Sequence, residues 1–117
     1  MNLKITISII SILILFNSCD YRTPSKDRFE NITKIELTDS INVTQDRFEE
    51  SGPDYGLFYK FTLNDTDCLD IKSKIEHSKD WVKKGNEWTF YKTVNGTIYN
   101  ITFSIEKCQI SYNEDLI

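Results

Sequence analysis

Three cysteines, a single histidine and a few short charged groupings are the residues of this 117-residue chain whose chemistry reaches beyond packing. Cys68, His77 and Cys108 are ligand types that zinc accepts, but they lack a fourth ligand and the short paired spacing of structural zinc sites. Any Ser–His or Cys–His catalysis has to run through His77, the one imidazole. Its place near the end of a predicted helix instead suits a surface histidine set against the helix dipole. Asp65, Asp67 and Asp70 have the look of a cation loop, yet the turn glycine of an EF-hand is missing. Acidic residues at the positive end of a helix explain the same grouping. Glu49, Glu50 and Asp54 flank the turn Ser51-Gly52-Pro53 and read as a solvated acidic loop. Lys72, Lys74, Lys79, Lys83 and Lys84 form a basic run in a chain of formal net charge −4; they read as the wet face of a helix and the loop after it, with an edge for an acidic partner as the alternative. There is no P-loop, dinucleotide-type glycine cluster, HExxH or GxSxG. The residues thus name no catalytic group, no metal ligand and no cofactor, and the domain is expected not to be an enzyme.

The most informative stretch lies at the start. Lys4 precedes an apolar run from Ile5 to Phe16, broken by Thr6, Ser8 and Ser11, and the chain turns polar from Asp20. A basic start, a short apolar core and a small residue before a cut site make a secretory signal. A membrane-spanning helix needs about 20 apolar residues, more than this run supplies. Cutting after Ser18 or Cys19, as in an ordinary soluble signal, would put Phe16 or Asn17 at the third position before the cut, where a small residue is wanted. Phe16-Asn17-Ser18-Cys19 instead resembles the lipobox of bacterial lipoproteins, an apolar residue, one or two small residues and an obligatory Cys. Ser18 and Cys19 match that pattern; Phe16 stands where Leu is commoner, and Asn17 is a looser fit.

The resemblance implies that residues 1–18 are removed and that Cys19 becomes the first residue, acylated on its thiol and often on its amino group. Acyl chains contribute about 0.8 kcal/mol per buried CH₂, so several of them anchor a protein stably. The implied location is the bacterial cell envelope, with the domain outside the cytoplasm and held to the inner or outer membrane. Asp20 follows the lipidated position, which influences sorting in enterobacterial lipoproteins; the choice of membrane stays open. Assigning Cys19 to lipid leaves Cys68 and Cys108 as a pair in an oxidising compartment, where disulfides persist. Two buried free thiols are the alternative. Asn-x-Ser/Thr sequons at Asn31, Asn42, Asn64, Asn95 and Asn100 carry little weight in a bacterial chain rich in Asn and Thr. Asp39-Ser40-Ile41 resembles a short O-glycosylation motif of Bacteroidetes secreted proteins.

One domain must position these residues. About a hundred residues beyond the signal support one modest core, and 13% aromatic content favours packing over disorder. Residues 19–31 read as the lipidated Cys and a tether, and residues 32–117 as the domain. Ile32 to Thr38 alternates as a first strand, and Asp39 to Asp54 is a less regular connection in which Ile41 and Val43 can make a short strand. Gly56 to Leu63 is a clearer strand with Leu57, Tyr59, Phe61 and Leu63 on one face; Phe58 falls on the other. Asn64 to Ser78 reads as the only helix, capped by Asp65 or Thr66, with Cys68, Ile71 and Ile75 inward. Trp81 and Val82 re-enter the core, and Gly85-Asn86 turns. Asn95-Gly96 is the preferred pair for a two-residue hairpin. It sets Trp88 opposite Phe103, Phe90 opposite Ile101 and Lys92 opposite Tyr99, and leaves Tyr91 on the polar face. Cys108, Ile110 and Tyr112 alternate as a last edge strand or a continuation, and Asn113 to Ile117 reads as a frayed tail.

The expected fold is therefore α+β. A small antiparallel sheet of four to five strands carries one helix on one face, in the order β-β-α-β-β with room for a final β. The acidic balance argues against nucleic acid. The expected partners are the membrane, through lipid on Cys19, and a protein. The leading functional expectation is a non-enzymatic binding domain at the envelope, of an immunity or inhibitor type that masks a basic partner. An envelope enzyme or accessory using surface carboxylates beside His77 or Tyr91, and a purely structural envelope component, are the alternatives.

Overall fold

Asn95 and Gly96 both take positive φ, 51° and 81°, as a two-residue turn with the twist of its strands requires. The turn joins β4 (Glu87–Val94) to β5 (Thr97–Ser104). In the computed structural model, which describes residues 23–116, the hairpin has the register that its pattern predicts, Trp88 opposite Phe103, Phe90 opposite Ile101 and Lys92 opposite Tyr99. Phe90, Ile101 and Phe103 are buried, while Tyr91 on the opposite face is 64% exposed. The signal segment 1–18, Cys19, the first residues of the expected tether and Ile117 lie outside the described residues.

The architecture is α+β, a six-stranded antiparallel sheet with two helices. Besides the hairpin it contains β1 (Asn42–Ser51), β2 (Asp54–Thr62), β3 (Trp81–Lys84) and β6 (Gln109–Leu116). The helices are α1 (Ser25–Thr33) and α2 (Asp65–Glu76). The strand order is β1-β2-β6-β5-β4-β3. After the β1–β2 hairpin the chain passes through α2 to the far edge, and β3, β4, β5 and β6 meander back until β6 pairs with β2. Leu57, Tyr59, Phe61, Phe90, Ile101, Phe103, Ile110 and Tyr112 form the buried face of the sheet. Phe29, Ile35 and Leu37 from the N-terminal part, and Cys68, Ile71 and Ile75 from α2, complete the core.

Four expectations are corrected. The sheet has six strands and the fold two helices, against four to five strands and one helix. Residues 25–31, read as tether, lie in α1, whose Phe29 is fully buried edge-on to Phe61 (5.5 Å, 88°) and Tyr112 (6.2 Å, 70°). That helix carries few apolar residues and no side-chain cap at Pro24, so packing holds it rather than local propensity. Ile32 to Thr38 is not a strand. Ile35 and Leu37 do point into the core, but their backbone donors go to side chains, Ile35 N–H to Thr33 Oγ1 (3.2 Å) and Leu37 N–H to Glu30 Oε2 (2.6 Å). Alternation reported burial there, not pairing. Finally, β6 is a central strand that runs to Leu116, so Asn113 to Leu116 is no frayed tail.

The edges of the sheet are β1 and β3. The polar composition of β1, which hid it as a connection, is what an edge strand needs. Asp46, Arg47, Glu49 and Glu50 and the register shift between Val43 and Gln45 discourage pairing with another chain. In β3 successive residues face opposite sides, so Trp81 is buried and Val82 is 56% exposed; only Trp81 re-enters the core.

Cys68 in the first turn of α2 is bonded to Cys108 in the β5–β6 connection, with Cα atoms 5.5 Å apart and 40 residues between them in sequence. Cys108 takes a positive φ of 44°, and its carbonyl accepts from Leu63 N–H at 2.8 Å, so the connection is tied to the end of β2 as well as to α2. Closing a loop of that length stabilises by roughly 4 kcal/mol in the chain-entropy model. Denaturant unfolding with and without reductant should show a loss of about that size. The variant Phe29→Ala should lose about 3–5 kcal/mol, as for a fully buried aromatic. A loss below about 1 kcal/mol for Phe29→Ala would mean that α1 is not part of the core.

Candidate functional site

The register of the central strands puts a carboxylate on the apolar face. On β6, Ile110, Tyr112 and Glu114 share one side, and Glu114 lies opposite Leu57 of β2 and Tyr99 of β5. Glu114 is 2% exposed. A charge so placed is costly unless hydrogen bonds and an opposite charge compensate it. Three groups do. Arg28 Nη1, from α1, donates to Oε2 at 2.5 Å. The Tyr55 hydroxyl, from the start of β2, donates to the same oxygen. The Tyr112 hydroxyl, two residues back on β6, donates to Oε1. Arg28 also donates from Nε to the Thr23 carbonyl at 3.0 Å, and its guanidinium lies 5.9 Å from the centre of the Tyr55 ring. The other side of this region is closed by Phe48 stacked on Tyr55 at 5.3 Å.

The electrostatics follow from that arrangement. Burial would lower the Arg28 pKa, but the charge of Glu114 and the contacts with Tyr55 outweigh it and raise it. Burial, and then the bond to Glu114, push the Tyr112 and Tyr55 hydroxyls up. Burial and the charge of Glu114 raise Tyr99, although Arg28 works against this. On the same sheet face, Tyr59 is pushed up to about 12 by burial and by the carboxylates of Asp46 and Glu30. Asp46 also accepts from Ser25 Oγ at 2.7 Å, a second tie between α1 and the sheet.

Around the cluster lies an open cleft of about 360 Å³ lined by Thr23, Arg28, Asn31, Ile32, Tyr55, Tyr99 and Glu114. Arg28, Asn31 and Ile32 fall on one stripe of α1 and form a wall, while Tyr55, Glu114 and Tyr99 come from adjacent strands and form the floor. This is the site that the sequence reading missed. Glu114 was placed in a tail and Arg28 in a tether. The available signal was that Tyr112 and Glu114 continue the alternation of Cys108 and Ile110.

The residues singled out from the sequence are distributed otherwise. Cys19 lies outside the described residues. His77 ends α2, exposed, with Nδ1 2.7 Å from the Ser73 carbonyl. Neither His77 nor Tyr91 lines the cleft. Among the described residues no group of three His, Cys, Asp or Glu is placed to hold a metal ion. The helix cap is Asn64, whose Oδ1 accepts from Asp67 N–H at 2.7 Å, rather than Asp65 or Thr66. The Asp67 carboxylate accepts from Thr38 and Ser40 hydroxyls, each at 2.7 Å, which engages the Ser40 oxygen and pins the segment before β1 to α2. Lys72 and Lys74 pair along the helix with Glu76 (3.6 Å) and Asp70 (3.1 Å), and Lys83 lies 5.8 Å from the centre of the Trp88 ring. Glu49 and Asp54 meet Asp115 around a second cleft of about 390 Å³ floored by Phe58, Ile98 and Leu116. A third, of about 250 Å³, lies beside the disulfide and is lined by Asp65, Cys68, Leu69, Lys72, Ile105 and Cys108.

No helix among the described residues is long and apolar enough to cross a membrane. No family model, curated protein or solved structure matches the chain.

Three measurements probe the polar ties. The hydrogen bonds from Thr38 and Ser40 hold the Asp67 carboxyl below the usual carboxylate range. A depressed pKa contributes stability above the unfolded value of about 4, and the contribution is lost as pH falls through the folded value. NMR titration should find Asp67 below that value, and Thr38→Ala with Ser40→Ala should return it to normal. For the tyrosines the sign is opposite. Their raised values contribute stability that is complete below about pH 10 and lost as pH rises further. Glu114→Ala should cost on the order of 3–5 kcal/mol in denaturant unfolding, because it strands Arg28 and two hydroxyls. It should also lower the titration midpoint of Tyr55 followed by NMR of its ring; an unchanged midpoint would contradict the assignment of Glu114 as its partner.

Proposed function

We propose that the chain is a bacterial lipoprotein, anchored by lipid on Cys19, whose α+β domain is a non-enzymatic binding module at the envelope. The observation that carries the reading is the segment from Lys4 through the apolar run to Phe16-Asn17-Ser18-Cys19. The cysteine pairing supports it. Cys68 and Cys108 are bonded to each other, so Cys19 is the one cysteine of the three left for another use. The hydrogen bonds of Glu114 bear on the enzyme alternative. The Glu114 carboxylate already accepts three hydrogen bonds, which suits a structural and binding role better than proton transfer.

Residues 20–24 separate Cys19 from the first residue of α1. Fully extended, that linker spans at most about 20 Å, so the lipid would hold the domain close to the bilayer surface. A protein partner of basic character is the version that charge favours. The chain is acidic overall, and the cleft framed by Glu49, Asp54 and Asp115 over Phe58 and Ile98 offers carboxylates beside an apolar floor. An inhibitor of a basic toxin fits that surface.

The intact mass of the protein from membranes should correspond to a chain that begins at Cys19 and carries acyl chains. Cys19→Ala should remove the acyl mass and release the protein from the membrane fraction. A Cys19→Ala protein that stays membrane-bound, with no mass change beyond the substitution, would overturn the anchoring reading.

A further inference from the structure

The cleft above Glu114 has features that select the charge of what enters it. Among the described residues that line it, the one cation, Arg28, is already paired with the one carboxylate, and Glu114 is nearly inaccessible. The hydroxyls of Tyr55, Tyr99 and Tyr112 stay protonated through neutral pH, because each titrates above the ordinary tyrosine range. The cluster is thus neutral as a unit. An anionic ligand on the free N–H groups of Arg28 would have to share that charge with Glu114 and lie close to the buried carboxylate, which repels it. A cationic ligand would have to displace Arg28 from a bond it makes at 2.5 Å. A neutral ligand avoids both costs.

The remaining surface of the cleft is hydroxyl and amide beside short apolar stretches. The Tyr99 hydroxyl has no hydrogen-bond partner among the described residues, and the Asn31 amide and the Thr23 hydroxyl are on exposed residues. A guanidinium carries five N–H groups, and two of those on Arg28 are used, by Thr23 and Glu114. Ile32 and the Tyr99 ring supply the apolar component. Phe48 and Arg28 both lie against the Tyr55 ring, while Tyr99, tilted against Tyr112 (6.3 Å, 56°), stays half-buried and lines the cleft as the ring a ligand would meet. A sugar ring matches this, with hydroxyls around its edge for the amide, hydroxyl and guanidinium groups and a C–H face for Tyr99. At about 360 Å³ the cleft falls within the range of small-molecule sites.

Position gives the source. Thr23 lines the cleft, and Cys19 precedes it by four residues. Whatever path residues 20–22 take, the two Cα atoms are at most about 14 Å apart. On the reading that Cys19 carries lipid, the cleft is therefore held beside the bilayer surface. The disulfide lies at the other end of β6, about 20 Å from Glu114 along the strand.

We propose that this cleft binds the sugar portion of a neutral glycan presented at the membrane surface, with Asn31, Tyr99 and Arg28 as its contacts. The location rests on the anchoring reading; the preference for a neutral sugar does not.

The test uses the full protein purified from membranes and two sets of probes. Glucose, maltose, lactose and N,N′-diacetylchitobiose, with glucuronate as the anionic control, each titrated at millimolar concentration, report on free sugar through the Asn31 side-chain amide in NMR. Phosphatidylcholine vesicles with and without diglucosyl diacylglycerol report on the membrane-borne form. At least one free sugar should shift the Asn31 signal, and glucuronate should bind more weakly than glucose. Asn31→Ala and Tyr99→Phe, which keep the core packing, should each weaken binding, by up to about tenfold for the loss of one hydrogen bond. The glycolipid should retain the protein more tightly than phosphatidylcholine alone. The proposal is overturned if none of the sugars perturbs cleft residues, if glucuronate binds best, or if both variants bind as the parent does. If the protein binds neither vesicle while the free-sugar shifts persist, the sugar site stands and its membrane source is overturned, along with the anchoring reading.

Discussion

A carboxylate on the apolar face of a sheet is a demand that the rest of a fold has to meet. Glu114 sits 2% exposed on the central strand β6. Its lone pairs are met by Tyr112 on the same strand, Tyr55 on the neighbouring strand and Arg28 on a helix from the start of the domain. Tyr55 reaches it only if β6 pairs with β2 in the observed register, and Arg28 only if α1 lies over the sheet. A one-residue slip of β6 would turn Glu114 to the outer face and Asn113 or Asp115 inward. The polar cluster and the hydrophobic face thus specify the same register. Arg28 and Phe29 are adjacent in sequence and dock α1 by different means, one through charge and the other through an aromatic contact with Phe61 and Tyr112.

That arrangement gives the domain two ends. At one, α1 and the Glu114 cleft lie next to the point where the chain leads back towards Cys19. At the other, the bond between Cys68 and Cys108 ties α2 to the β5–β6 connection, and the Leu63 amide adds a backbone bond to Cys108. The crossover from β2 through α2 carries the chain to the far edge strand β3. The ends are stabilised by different chemistry, ion pair and hydroxyls at one and a covalent bond at the other. They respond to different conditions accordingly, alkaline pH for the tyrosines and reductant for the disulfide.

Much of the middle of the chain was legible from local rules. Asn95-Gly96 specified a turn, the turn specified a register, and the pattern of Trp88, Phe90, Ile101 and Phe103 agreed with it. The second helix was readable from Cys68, Ile71 and Ile75 and from the acidic residues of its first turn. What stayed hidden was whatever depends on distant partners. The first helix has one fully buried apolar side chain, Phe29, and its stability comes from Glu114, Asp46 and Phe61, far along the sequence. Ile35 and Leu37 alternate like a strand, but Thr33 and Glu30 take their backbone donors. The first strand looked like a loop because an edge strand is charged on both faces. Glu114 breaks the rule that charged residues lie outside, which hides the inward alternation of β6 beyond Tyr112.

The central structural claim is that α1 belongs to the core of the domain and is not part of the linker to Cys19. Residue-resolved hydrogen exchange at neutral pH tests it most directly. If the account is right, the amides of Phe29 to Thr33 are protected to nearly the same degree as those of β2 and β6, and all open together in one cooperative unfolding. Rapid exchange of Phe29 to Thr33 while β2 and β6 remain fully protected would contradict it.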